Sequence, residues 1–264
     1  NVDSRLYVDL DIQQFSTSRA DILSLAPKGS IPNNISIPPT LAVSGTFRGR
    51  PTTLAFDTNL KLRSTYGNLA FSGKLGAAQA NGRQPLLGTF AVGGFDFGKL
   101  LKDPTIGRVT ATGRINATGD LKNPATLVGQ VKANVQSARY NGYTYHGVAA
   151  TVDLDRNRYV INASSKNDPN LNLDLQAVVN LRDARNPTYE VTRLNLRGAN
   201  LTALGFYTGG DLRVQGNLVA NLRGSNLNSL NGTFSGQKIV IVRDNQAFPL
   251  DSLNGRIVQN ANRT

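Results

Sequence analysis

The chain contains no cysteine, no methionine and no tryptophan, and it has a single histidine, His146, and a single glutamate, Glu190. Without cysteine there are no disulfides and no thiolate metal sites, a state equally compatible with an oxidising and a reducing compartment. The one histidine, His146, sits in YTYHGV beside Asn141-Gly142, where it reads as a strand residue near a turn, and no catalytic role is expected of it. There is no G-x-S-x-G nucleophile turn and no glycine loop closed by lysine for phosphate. Asp9 and Asp11 are two apart and read as a solvated strand face. Asp153-Leu-Asp155-Arg-Asn157 opens like a calcium loop, but Arg158 stands where that loop needs glycine and Ser164 where it needs glutamate. These absences leave no catalytic residue, no metal ligand and no cofactor site, and the chain is expected not to be an enzyme.

Long apolar runs are missing too. No stretch of eighteen apolar residues and no charged-then-apolar leader is present. The chain opens at Asn1 in what already reads as a strand, and it is expected to be a piece of something longer. Aromatics are only 7% of the 264 residues, while apolar residues of all kinds are 39%. That is enough to bury a core, and its lining must be mostly Leu, Val, Ile and Ala. Twenty-nine Lys and Arg against seventeen Asp and Glu give a formal charge of +12. The cations are scattered singly, without the basic run of a nucleic-acid patch, so nucleic acid is not expected as a partner. Dispersed charge on outward strand faces accounts for them, with Lys132, Arg182, Arg213 and Arg223 all alternating away from apolar neighbours.

What the sequence does have is period-two alternation. In LNLDLQAVVNLR, residues 171–182, Leu171, Leu173, Leu175, Ala177, Val179 and Leu181 share one face. A strand of that length spans roughly 40 Å. In DLRVQGNLVANLRG, residues 211–224, Leu212, Val214, Leu218, Ala220 and Leu222 alternate with Arg213, Gln215, Asn217, Asn221 and Arg223. The same texture recurs at 2–12, 129–135 and 148–154. Turn signals fall between strands at Asn81-Gly82, Asp155-Arg156-Asn157, Asp168-Pro169-Asn170 and Asn186-Pro187. No regular helices separate the strands, so the fold class expected is all-β, mainly antiparallel and meandering.

Three segments interrupt the alternation: SRADILSLAPKGS from Ser18, DFGKLLKDPTIG from Asp96 and ANLTALGFYTGG from Ala199. Each has apolar residues at helical spacing for one or two turns, and each precedes a two-faced strand: LAVSGTFRG, VTATGRINATG and LRVQGNLVANLRG. The second and third units are offset by 103 residues, shown by the spacings from Leu101 to Gly113 to Gly129 and from Leu204 to Gly216 to Gly232. One repetitive domain is expected, with units at roughly 1–104, 105–208 and 209–264.

The phrase of strand, short helical turn, Gly or Pro, then Leu212-Val214-Gly216-Leu218 resembles the AsmA-like and TamB family of bacterial envelope proteins. SRADILSLAPKGSIP, residues 18–32, is similar to the "ll-x-lap" segment of that group. The resemblance implies an elongated β-groove folded like a taco, whose concave aliphatic face shelters phospholipid acyl chains between inner and outer membrane in the periplasm. It also implies a role in outer-membrane protein assembly. The inner-membrane anchor and the segment that engages the barrel partner are expected to lie outside this stretch. Leu171, Leu173, Leu175, Val179, Leu181, Leu212, Val214, Leu218 and Leu222 are the candidate lining residues. Two other readings compete: a purely structural envelope repeat protein, and a piece of an outer-membrane barrel, against which the lack of aromatic girdles speaks.

Overall fold

The computed structural model describes residues 6–27, 29–50, 52–53, 55–120, 123–224, 229 and 231–258. Its strands are β1 (Val8–Ser18), β2 (Thr40–Arg50), β3 (Ala55–Ser64), β4 (Gly67–Leu75), β5 (Gln84–Asp96), β6 (Ile106–Gly119), β7 (Val128–Tyr140), β8 (Tyr143–Asp155), β9 (Arg158–Ser165), β10 (Leu171–Asn180), β11 (Thr188–Asn200), β12 (Leu212–Arg223), β13 (Asn231–Arg243) and β14 (Gln246–Ile257). Two short helices join them, α1 (Arg19–Leu25) between β1 and β2 and α2 (Phe97–Leu101) between β5 and β6. The protein is all-β, with the fourteen strands hydrogen-bonded in chain order in one antiparallel sheet. Most of the connections, such as those at Asn141-Gly142 and Arg156-Asn157, are hairpins too short to return anywhere but to a neighbouring edge, while the longer one between β1 and β2 holds α1 and still returns to the adjacent position.

The chain divides into two compact units, Asn1–Pro124 with Val131–Thr144, and Ala125–Gln130 with Tyr145–Thr264. In the first, α1 begins at Ser18, whose side chain takes the Asp21 amide while the Asp21 carboxylate takes the Ser18 amide, a complete capping box. α2 begins at Asp96, whose carboxylate accepts the Lys99 amide, and ends at Lys102 in the left-handed conformation. Both helices feed one hydrogen-bonded knot. Arg19 Nε donates to the Ile37 carbonyl at 2.6 Å, Arg19 Nη2 reaches the Tyr66 hydroxyl at 3.2 Å, and Ser36 Oγ lies 3.0 Å from the same hydroxyl. The Ser36 amide donates to Leu100, and the Asp96 amide to Tyr66. Phe95, 2% exposed, stands edge-on to the Tyr66 ring at 6.4 Å and packs against Phe97.

In the second unit the segment that follows β11 makes one helical turn instead of a helix. The Leu204 amide donates to Asn200, the Asn200 side chain accepts the Ala203 amide, and Leu204 is 1% exposed. β1, β5 and β11, the three strands that lead into these corners, each carry register shifts, at Ile12/Phe15, at Val92/Phe95, and at Val191/Leu194 and Leu196/Ala199. An extra residue at a bulge bends a strand and re-aims its side chains. Bulge, helical turn and two-faced strand therefore form the repeated structural phrase.

The hairpin turns carry the chemistry their sequences announce. Asn141-Gly142, Arg156-Asn157 and Asp244-Asn245 all have positive φ at both central residues, as two-residue hairpin loops require. Asp153-Leu154-Asp155 is the end of β8 leading into such a turn. The Asp168 carboxylate accepts the amides of His146 and Asn170, which holds the β9–β10 connection. β10 stops at Asn180 rather than at Arg182 and is about 33 Å long. The Leu181 amide leaves the ladder for the Asn157 carbonyl, and the Asn180 side chain accepts the Arg182 amide. The alternation at residues 2–12 belongs in part to β1, from Val8, and residues 1–5 lie outside the described residues.

Candidate functional site

Antiparallel partners directly opposite one another point to the same side of a sheet, so the registers define its faces. In the second unit, Leu154, Tyr159, Val179, Tyr189, Leu222, Gly232 and Ile257 form one unbroken row across seven strands. A parallel row runs Ala150, Ala163, Leu175, Leu194, Leu218, Gly236, Leu253. Leu173 lies opposite both Ser165 and Leu196, and Leu171 and Val214 both lie opposite Ala199. The sheet thus gathers Leu171, Leu173, Leu175, Val179, Val214, Leu218 and Leu222 on one apolar side, and Leu212 joins them by alternation along β12. Leu181 stands one residue beyond the end of β10 and is the candidate that no strand pairing places.

The first unit repeats the arrangement with other residues. Ile12, Gly45, Leu60, Phe71, Phe90 and Gly113 form one row, and Phe15, Val43, Leu62, Leu69, Val92 and Ala111 the next. None of these was a candidate lining residue, because the aromatics and glycines in the first unit hide the pattern. The opposite side of that unit is wet: Asp9, Arg48, Asp57 and Lys74 stand in a row of alternating charge, with ion pairs at 2.8 Å (Arg48–Asp9) and 3.1 Å (Lys74–Asp57).

The nine candidate lining residues are all half-buried, none of them fully covered. Among the described residues the buried apolar side chains are Tyr66, Phe95, Ala111, Ala117, Leu196, Ala199, Leu204 and Ile239. Two sheets packed face to face would bury the inward positions of every strand. Here Leu173, Leu175, Leu218 and Leu222 are shielded only in part, as side chains are when their neighbours in the same sheet are their chief cover.

Large side chains on this face lie down instead of standing up. A Cβ on Gly113 would come within 2.4 Å of Phe90 Cζ, one on Gly255 within 2.2 Å of Phe234 Cζ, and one on Gly216 within 2.5 Å of Ile239 Cδ1. Gly113 and Gly216 hold the same place in their strand phrases, so glycine there leaves a notch over which a neighbouring side chain folds. Gly216 also takes φ of 146°, a left-handed backbone that other residues seldom adopt.

The charges lie where alternation puts them. Lys132, Arg182, Arg213 and Arg223 are exposed; Arg182 is paired with Asp155, and Arg213 with Asp211 at 3.0 Å. The hydrogen bond from Arg156, with Arg182 close by, holds the Asp155 carboxyl below its ordinary range. The Ser18 hydroxyl and amide do the same for Asp21. His146 is exposed in β8, engaged through its backbone with Asp168 and Ser165. Among the described residues no group of three His, Asp or Glu side chains is placed to hold a metal, and no helix is long and apolar enough to cross a membrane. Set beside known proteins, the chain matches no family model, no curated sequence and no solved structure.

Proposed function

We propose that this chain is a non-enzymatic segment of a bacterial envelope protein whose one-sided aliphatic sheet carries or shields phospholipid acyl chains between inner and outer membrane. The observation that carries this reading is the set of apolar rows on one side of each unit, only half-covered, set against a charged and amide-rich opposite side. An amphiphile fits such a surface: each methylene moved from water onto it contributes up to about 0.8 kcal/mol. The flattened Phe90, Phe234 and Ile239 side chains keep the surface low, which leaves room above it. The resemblance of the strand phrase to AsmA-like and TamB proteins agrees with the reading and suggests the periplasm and a part in outer-membrane protein assembly. The same alternation would serve a purely structural envelope repeat, whose apolar face would hold only protein.

Mass spectrometry of an organic extract of the purified chain separates the two. Phospholipid retained in amounts comparable to the protein supports the lipid reading. A lipid-free extract from a preparation never exposed to detergent favours the structural repeat.

A further inference from the structure

We infer that the first unit carries a phosphate-recognition site at the rim of its apolar face, centred on Arg139 and walled by Lys99 and Lys102. This rests on the lipid reading above for the source of the phosphate, the head group of an amphiphile whose tails lie on the apolar rows. A cleft of about 720 Å³ opens between α2 and the ends of β6 and β7, lined among others by Lys99, Lys102, Gly107, Ser137, Arg139 and Thr144.

Gly107 belongs to the apolar side of β6, two residues before Val109, which pairs with Phe95, and four before Ala111. A Cβ on Gly107 would meet the Cβ, Cγ and Cδ of Arg139 at 2.8–3.0 Å. The Arg139 stem therefore lies along the Gly107 backbone on that same side, where the apolar rows give way to the corner. Its guanidinium forms no hydrogen bond or ion pair with any described residue. A guanidinium held by its stem and left unpaired presents a fork of N–H donors matched to phosphate oxygens. Ser137 and Thr144 add hydroxyls to the lining.

The other charges in the cleft do not cancel this. Arg108 lines it too, from the opposite side of β6, where it pairs with Asp96 across the strands. Lys102 donates to the Asn33 carbonyl, a neutral acceptor, and Lys99 lies 3.7 Å from Asp96. Asp96 thus offsets Lys99 in part, and each carboxylate also has a backbone partner. Asp96 caps α2 through the Lys99 amide, and Asp103 takes the amide and hydroxyl of Thr105, which hold its carboxyl below the ordinary range. Four cations against two carboxylates leave the lining positive.

The test compares three probes by calorimetry on the intact chain: dihexanoylphosphatidylglycerol below its micelle concentration, the neutral amphiphile octyl glucoside, and inorganic phosphate. The variants are Arg139→Gln with Lys99→Gln, and Arg139→Lys alone, each checked for native circular dichroism. The double variant is expected to bind the phospholipid about tenfold or more weakly, as loss of charged hydrogen bonds implies, with octyl glucoside unchanged and Arg139→Lys intermediate. Unaltered phospholipid binding in the folded double variant overturns the rim site and leaves the apolar-face reading intact. Inorganic phosphate binding as tightly as the phospholipid overturns the amphiphile as its source. Failure of octyl glucoside and phospholipid alike overturns the proposal together with the lipid reading it rests on.

Discussion

The ring of Phe90 lies across Gly113, its cross-strand partner, so closely that a Cβ on Gly113 would stand 2.4 Å from Phe90 Cζ and 2.4 Å from the Lys132 carbonyl. Gly113→Ala must lift the ring or part the strands, a cost of about 1–3 kcal/mol for an overpacked site. Gly198, with nothing within 4 Å of its own missing Cβ, accepts alanine within about 0.5 kcal/mol, as an open surface position does. Urea denaturation of both variants checks the contrast; equal losses would mean that the flattened ring is not a constraint.

Tyr66, 7% exposed, shares its hydroxyl between Arg19 at the start of α1 and Ser36, whose own amide donates to Leu100 of α2. Tyr66→Phe removes that hub while keeping the ring against Phe95. A loss of about 1–2 kcal/mol is expected, since a charged donor and a hydroxyl lose their partner. Arg19→Ala in the Tyr66→Phe background should then cost less than it does alone, a coupling that a double-mutant cycle reads directly.

Four carboxylates should keep their contribution to stability until low pH. The carboxyls of Asp21, Asp103, Asp155 and Asp183 are all held below their ordinary value of 3.8. A group depressed in the folded state contributes its stability above the unfolded value and loses it as the pH falls through the folded one. The urea midpoint should therefore stay flat from pH 7 to about 5 as far as these groups decide it, and fall below 3.8. Asp21→Asn, which breaks the capping box, should lower the midpoint at neutral pH and flatten the acid limb. An acid limb of unchanged depth in that variant would deny Asp21 its part.

Much of this fold can be read in the sequence because one-sided burial in a sheet writes itself as period two. Leu171 to Val179 and Leu212 to Leu222 alternate cleanly, and the sheet places them as the alternation implies. Where a strand is bulged the pattern breaks. In β11 the inward residues Val191, Leu194, Leu196 and Ala199 are spaced three, two and three apart, so their common side shows only in the register. Leu181 alternates with its neighbours, yet its amide is drawn to Asn157, a contact between residues too distant in sequence to foresee. The first unit's face was hidden because Phe71, Phe90 and their glycines, which look like loose packing in a sequence, are a single interlocked surface. Arg139 looked like one more scattered cation; only its position over Gly107, 32 residues earlier, sets it apart.

Dispersed outward charge predicts weak, salt-sensitive attraction to anionic surfaces. Co-sedimentation with phosphatidylglycerol vesicles should fall steeply between low and physiological salt, and single-stranded nucleic acid should not bind tightly at physiological salt. Tight nucleic-acid binding there would turn the interpretation of the +12 charge towards a different partner.

The most direct test of the proposal that the apolar face holds acyl chains is photo-crosslinking to phospholipid from a probe placed at Leu175, with Leu173→Asp and Leu218→Asp introduced in turn. Both residues lie on the apolar side, Leu218 in the same cross-strand row as Leu175. A carboxylate there either draws in water or is buried at considerable cost, and it should abolish the crosslink while circular dichroism still shows the native strands. Crosslinking absent from the parent chain, or undiminished in both folded variants, would contradict the account.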